Sequence, residues 1–165
     1  MLPTGESKPA LLSAVHRLLD FIGDRPLNGE LEKSLNHHYG PTTERYGELL
    51  TLLRKGIDDG WACYSEITGP DYKRGRIADP SEATHGFSVE SGKLRNVLGN
   101  YHCHPQGEIN MIGPVDETGP FCGSGAGWKV FEPMSRHFPT VTGGTVTMLF
   151  FLPKGEIEYM EPPKS

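Results

Sequence analysis

Along residues 8 to 23 the apolar positions Leu11, Leu12, Val15, Leu18, Leu19 and Ile22 recur every three or four residues. That is the period of a helix with one buried face. Ser7 is placed to cap it and Pro9 falls in its first turn. A short second helix is predicted over residues 28 to 38, stopped after His37-His38-Tyr39 by Gly40 and Pro41. A third, over residues 42 to 59, carries Tyr46, Leu49, Leu50, Leu53 and Ile57 on one stripe and ends at Gly60.

Beyond Gly60 the spacing shortens to that of strands. Residues 61 to 67 read as a strand, Gly69-Pro70-Asp71 as a turn and residues 75 to 78 as a short edge segment. Residues 87 to 90 and 94 to 98 read as strands flanking a turn at Ser91-Gly92-Lys93. Residues 127 to 132 give another strand, and residues 138 to 141 pair with 145 to 152 across Thr142-Gly143-Gly144, a two-glycine hairpin signal. Pro153-Lys154-Gly155 then turns the chain into residues 156 to 159. About eight strands with no helix among them favour a barrel or double-sheet jelly roll over a βαβ fold. The expected architecture is one mainly β domain, with a helical segment over residues 1 to 60 packed on a barrel over residues 61 to 165.

Composition narrows the partners. A chain of 165 residues suffices for one domain with a sizeable core, and its 21 glycines and 14 prolines suit a turn-rich β fold. A net charge of −5 and a pI near 5.8 argue against nucleic acid or an anionic membrane as the main partner. No run approaches the ~20 apolar residues of a membrane span, and the start of the chain lacks the basic and apolar regions of a leader. Cys63, Cys103 and Cys122 are odd in number and form no C-x-x-C pair, and there is no N-x-[ST] sequon, all of which fits a reducing cytoplasm. The apolar helix stripes can cover the barrel or form the seam of a homodimer, and an oligomer, most simply a dimer, is expected.

The chemistry concentrates in residues 101 to 112. In a strand His102 and His104 point the same way and Cys103 the other, while Pro105 and Gly107 permit a bend that returns Glu108 toward the two imidazoles. His137 stands at the end of a second strand-like region as a candidate third imidazole. Such a group suits a divalent transition metal, Fe, Mn, Ni or Zn, and equally a metal-free acid–base cluster or an inert polar core. Two other motifs lead elsewhere. The side chains of His37 and His38 diverge by about 100° on a helix and favour its dipole rather than a metal. The glycine-rich run from Gly119 to Gly127 lacks Gly-Lys-[Ser/Thr] and leads into a strand, so neither nucleotide nor flavin is expected.

The spacing His102-x-His104, Glu108 and a distant His137 resembles the two motifs of the cupin superfamily, small β-barrels that hold a metal on three His and one Glu. The resemblance implies His102, His104, Glu108 and His137 as ligands. This chain has Asn96 and Met134 where that pattern usually has glycine. Over residues 60 to 159 a narrower series resembles the bacterial 4-hydroxylaminobenzoate lyase family: Gly75-Arg76-Ile77, Thr84-His85-Gly86-Phe87-Ser88-Val89, His104-Pro105-x-Gly107-Glu108-Ile109, Gly127-Trp128, Ser135-x-His137-x-Pro139-x-Val141-x-Gly143-Gly144 and Leu149-Phe150-x-Leu152-Pro153-x-Gly155. Members convert 4-hydroxylaminobenzoate to protocatechuate (3,4-dihydroxybenzoate) and ammonia in nitroaromatic degradation.

That reaction needs no external electron carrier, in keeping with the missing nucleotide and flavin fingerprints. It gives Glu108, His102, His104 and His137 the catalytic work. A substrate carboxylate calls for an arginine fork, Arg76 first and Arg136 second. Trp128, Phe150 and Ile112 are candidates to sandwich the aromatic ring. The same ligands would serve a metal-dependent oxygenase or isomerase of a small aromatic acid, and a barrel that only binds such an acid is the non-enzymatic alternative.

Overall fold

Asn28 and Thr43 each accept a hydrogen bond from the backbone N–H three residues on, and so open the second and third of three helices, α1 (Thr4–Ile22), α2 (Gly29–His38) and α3 (Glu44–Asp59). The computed structural model describes residues 4–116 and 120–163. Residues 1–3, which begin the chain read for a leader, and Gly119 of the glycine-rich run lie outside the described residues. Ser7 does not cap α1: it is buried within the helix, where its hydroxyl donates to Asp59 at 2.7 Å and accepts from the Trp61 indole at 2.9 Å. No helix among the described residues is long and apolar enough to cross a membrane.

Gly60 ends α3 in the left-handed conformation, and the N–H groups of Trp61 and Ala62 both return to the Gly56 carbonyl. The Trp61 ring folds onto Gly56 so closely that a Cβ there would lie 2.5 Å from it. The strand expected from residue 61 is therefore delayed to β1 (Ser65–Glu66). It is followed by β2 (Tyr72–Ala78), β3 (Phe87–Leu98), β4 (His102–His104), β5 (Glu108–Pro114), β6 (Gly127–Phe131), β7 (Ser135–His137), β8 (Thr140–Pro153) and β9 (Glu158–Tyr159). The fold is mainly β, with antiparallel strands in a six-stranded sheet, β1-β2-β3-β8-β5-β6, and a three-stranded sheet, β7-β4-β9.

Two expected turns are absent because β3 and β8 run through them. Ser91 is buried, donating to the Gly75 carbonyl at 2.7 Å and accepting from the Cys63 N–H at 2.9 Å, which leaves no place for a solvent turn. Thr142-Gly143-Gly144 forms a bulge rather than a hairpin: β8 pairs Val141 with Val97 and Thr145 with Arg95, so three residues face Asn96 alone. Asn96 adopts φ 44° and accepts from the Gly143 N–H at 3.2 Å.

The large sheet has two apolar faces. Phe87, Val89, Ile109, Met111, Trp128, Leu149 and Phe151 meet Leu11, Val15, Leu18, Leu35, Leu49 and Leu53 of the helices in one core. Each fully buried Leu or Phe on this seam is worth roughly 1.5–3 kcal/mol. The stripes that could have formed a dimer seam are thus buried against the sheet. α2 also covers the free edge of β6, where the Asn36 side chain both donates to and accepts from the Trp128 backbone and Glu32 accepts from the Val130 N–H. Tyr72, Leu94, Ile112, Val146, Met148, Phe150 and Leu152 form the other face, turned toward the small sheet.

Both departures from the cupin glycine pattern retain a left-handed backbone, Asn96 at φ 44° and Met134 at φ 69°. Asparagine tolerates this region and methionine does not. Met134 is 61% exposed, so Met134→Gly should remove strain without opening a cavity. It is expected to raise stability by about 1 kcal/mol. Gly107→Ala, at φ 89° with a Cβ that would lie 2.7 Å from the Phe131 carbonyl, should lower it by about 1–3 kcal/mol. Denaturant midpoints that fail to move in opposite directions would refute both assignments.

Candidate active site

Strand alternation puts His102 and His104 on one face of β4 and buries Cys103 on the other. Antiparallel pairing sets His137 of β7 directly opposite His102. The Nε2 of His104 lies 2.9 Å from the Nε2 of His102 and 2.9 Å from that of His137. Gly107, whose N–H donates to the His104 carbonyl, turns the chain so tightly that Glu108 opens β5 with its Oε1 3.4 Å from His104 Nε2. Phe131 packs on His137 at 4.2 Å between ring centroids and closes the cluster from β6.

Burial decides the charges. His102, His104 and Glu108 are each at most 4% exposed. Desolvation, with the neighbouring imidazoles adding to it, pushes His104 down to about 2 and His137 down to about 3, and burial likewise lowers His102. Glu108 moves the other way, pushed up by burial to about 8. The His104–Glu108 contact is therefore between neutral groups at neutral pH, and the carboxyl carries the proton. The Asn100 carbonyl lies 2.9 Å from His102 Nδ1 and accepts its N–H, which leaves Nε2 as a bare lone pair.

Three neutral imidazoles whose Nε2 atoms gather around that of His104 are rich in lone pairs and poor in protons. His104 Nδ1 has no partner among the described residues. A cation among the three nitrogens answers this donor set, and imidazole suits Zn, Fe, Ni and related ions. The residues fit a metal: His102, His104 and His137 form the group whose ligand atoms lie within 4.8 Å of one another, with Glu108 beside His104. The carbonyl behind His102 is the kind of outer support that fixes a ligand ring.

Between the two sheets lies a narrow cavity open to solvent, lined by His102, His137 and Glu108 together with Tyr72, Arg74, Asn110, Met148 and Phe150. Arg74, rather than either arginine expected from the sequence, enters it. Its guanidinium sits 4.9 Å over the Phe150 ring and donates to the Tyr159 hydroxyl at 2.8 Å. Gly92, the cross-strand partner of Arg74, leaves the room: a Cβ there would lie 3.2 Å from Leu94 and Met148. Burial pushes the Tyr72 hydroxyl up to about 12, so it stays protonated.

The other expected contacts fall elsewhere. Arg76, two residues further along the same face of β2, is held by Glu90 at 2.8 Å and Asp79 at 3.1 Å, outside the cavity lining. Arg136 alternates with His137 on β7 and is exposed on the outer side. Trp128 belongs to the helix-facing core, its indole donating to the Tyr39 carbonyl at 2.9 Å. Ile112 is fully buried on the cavity side of the sheet beside Met148, without lining the cavity. Phe150 does line it. Arg74 and Asn110 were missed, although Arg74 lies in phase with Arg76, and Asn110 in phase with Glu108.

The model of the 4-hydroxylaminobenzoate lyase family matches residues 13–159. The chain belongs to the 4-hydroxylaminobenzoate lyase family. Among members of that family, a 4-hydroxylaminobenzoate lyase of Pseudomonas putida is 38% identical over 159 residues, covering 86% of this chain and 90% of that protein. One of Nocardioides sp. (strain LMS-CY) is 40% identical over 161 residues, 93% and 95% of the two chains. Similar solved structures include an RmlC-like cupin protein from Ralstonia eutropha, with a TM-score of 0.45 and 15% identity over 61% of this chain and 66% of that one. A DMSP lyase structure gives a TM-score of 0.47 and 15% identity over 96% and 100%.

For this lyase-family site the shift of Glu108 has a consequence in stability. A carboxyl raised from 4.5 to about 8 by folding stabilises the fold fully below pH 4.5 and loses that contribution as the pH rises through about 8. In chelator-treated protein, the stability of the wild type relative to Glu108→Gln should fall across this window and level off above it. The comparison cancels the histidines, whose lowered values weaken the fold at acid pH in both proteins. A difference that is flat with pH would show that Glu108 is not held protonated.

Proposed function

We propose that the protein is a lyase that converts 4-hydroxylaminobenzoate and water to protocatechuate and ammonia. Its family and relatives support this reading. The observation that carries it is a buried carboxyl held beside a cluster of three imidazoles, in a cavity that also presents one arginine over an aromatic ring.

In this reading Arg74 binds the substrate carboxylate, and Phe150 with Met148 flanks the ring. Glu108 donates its proton to the hydroxylamino oxygen, so that the N–O bond breaks with water as the leaving group. The N–O electron pair departs with that water and leaves the ring electron-poor. Water then adds at the ring carbon next to the one bearing nitrogen, and the Glu108 carboxylate takes up the proton it releases. The resulting imine is hydrolysed by a second water to a ketone and ammonia, and loss of the ring C–H proton restores aromaticity as the catechol. One water is lost and two are gained, which balances the overall reaction. A divalent transition metal held by His102, His104 and His137, with Glu108 beside it, would supply Lewis acidity toward the departing oxygen.

Purified protein incubated with 4-hydroxylaminobenzoate, before and after chelation and metal return, should release protocatechuate and ammonia in equal amounts. No product under any metal condition would overturn the assignment. Glu108→Gln should lower kcat by about 100-fold or more, since proton transfer of this kind is worth about that much. Arg74→Met, which keeps the apolar stem, should raise KM by about tenfold or more. Arg136→Gln should leave both unchanged. A normal KM in Arg74→Met would remove Arg74 from carboxylate binding.

A further inference from the structure

We propose that Asn110 reads the nitrogen substituent of the substrate, its side-chain oxygen accepting a hydrogen bond from the hydroxylamino group. The proposal rests on the cavity being the place where a hydroxylamino-arene is turned over, and it adds a specificity-determining residue to that reading.

Asn110 is 0% exposed and sits in β5 between Glu108 and Ile112, on the face turned to the cavity, which it lines. Its Nδ2 donates to the Lys129 carbonyl of β6 at 3.3 Å. Its Oδ1 accepts nothing among the described residues. Nδ2 also faces the Glu108 carboxyl, so turning the amide over would give up both N–H contacts and set the oxygen against the Lys129 carbonyl, which only accepts. The orientation is therefore dictated, and the unsatisfied atom is the acceptor. Folded proteins seldom leave a buried carbonyl oxygen without a donor.

Of its neighbours on that face, the Glu108 carboxyl takes up an amide N–H rather than serving Oδ1, and the others are apolar. Phe150 lies directly across on β8, and Met148 follows it. Phe150 is also the ring beneath Arg74. An aromatic acid whose carboxylate meets Arg74 and whose ring lies on Phe150 is thus brought alongside Asn110, and the atom that can satisfy Oδ1 is a hydrogen on the ring substituent.

The chemistry of that substituent sets the discrimination. Hydroxylamino and amino groups donate through N–H or O–H. A nitro group, from which a hydroxylamino group arises by reduction, has only acceptor oxygens and would face Oδ1 acceptor to acceptor. A methyl group matches amino in size and donates nothing. A site built to accept a hydrogen bond rejects ligands that cannot give one, because its own polar atom is then left buried and unpaired.

The test is the binding of 4-aminobenzoate, 4-methylbenzoate and 4-nitrobenzoate to the wild type and to Asn110→Leu, read by calorimetry. The wild type should bind the amino compound at least about fivefold tighter than either of the others. In Asn110→Leu the preference should vanish or invert while carboxylate binding persists. Asn110→Val serves the same purpose should the leucine variant not fold. Equal affinities in the wild type, or an undiminished amino preference in a folded variant, would overturn the proposal. Turnover of 4-hydroxylaminobenzoate by the wild type is measured alongside. Absence of product would defeat the lyase reading, whereas product with a flat affinity series would defeat the role of Asn110 alone.

Discussion

Two imidazole nitrogens held against a third in a buried site constrain everything around them. A neutral imidazole has one N–H, and His102 gives its own to the Asn100 carbonyl. His104 Nε2 then stands between two other Nε2 atoms at 2.9 Å and can donate to at most one. Protonating one of the rings would relieve the crowding of lone pairs, but burial and the adjoining rings make that charge costly. A cation from outside, or the proton of Glu108, is what such a cluster can accept.

The fold builds this cluster from very short pieces. β4 and β7 have three residues each, and their register alone sets His102 opposite His137. Such short strands cannot hold themselves, so their precision is borrowed from the large sheet, to which the turn at Gly107 ties them. That sheet is fixed from its far side. Helix side chains fill one face, Asn36 and Glu32 occupy the free backbone of β6, and the Tyr46 hydroxyl donates to the Ile112 carbonyl on β5. The helical segment thus acts on the chemistry at one remove, by holding β5 and β6 where Glu108 and Phe131 must be.

The chemical group was legible in the sequence because its signals are local. His-x-His is a statement about one strand, and Gly107 followed by Glu108 is a statement about one turn. The helices were legible for the same reason. The errors arose where faces and continuity depend on pairing. Ser91-Gly92-Lys93 has turn composition, yet Ser91 is consumed by bonds to Gly75 and Cys63, and Gly92 is small because Arg74 must cross it. Gly143-Gly144 looks like a hairpin because a bulge needs the same residue. Starting β2 at residue 75 instead of 72 hid Arg74, although alternation from Arg76 would have found it. Trp128 was assigned to the ring-binding wall, but as an aromatic next to Gly127 it could face either side, and only its pairing with Met111 puts it among the helices. Asn110 carried a readable signal, a polar residue inside an apolar strand and in phase with a functional carboxylate.

The electrostatics of the cavity explain why one carboxylate on the ligand suits it. Glu90 is buried and lies 2.8 Å from Arg76 and 3.8 Å from Arg74, so it is neutralised chiefly by Arg76. With the imidazoles and Glu108 neutral, the charge left facing the cavity is that of Arg74, and one ligand carboxylate matches it. Ionised Glu108 would compete for the same cation and weaken the ligand's hold on it. In the proposed reaction the burial that keeps Glu108 protonated serves two ends at once: it would provide the proton for N–O cleavage and it removes a second carboxylate that would compete for Arg74. A more polar surrounding for Glu108 would lose both together, which is why the carboxyl sits between Phe131 and the histidines rather than at the cavity mouth.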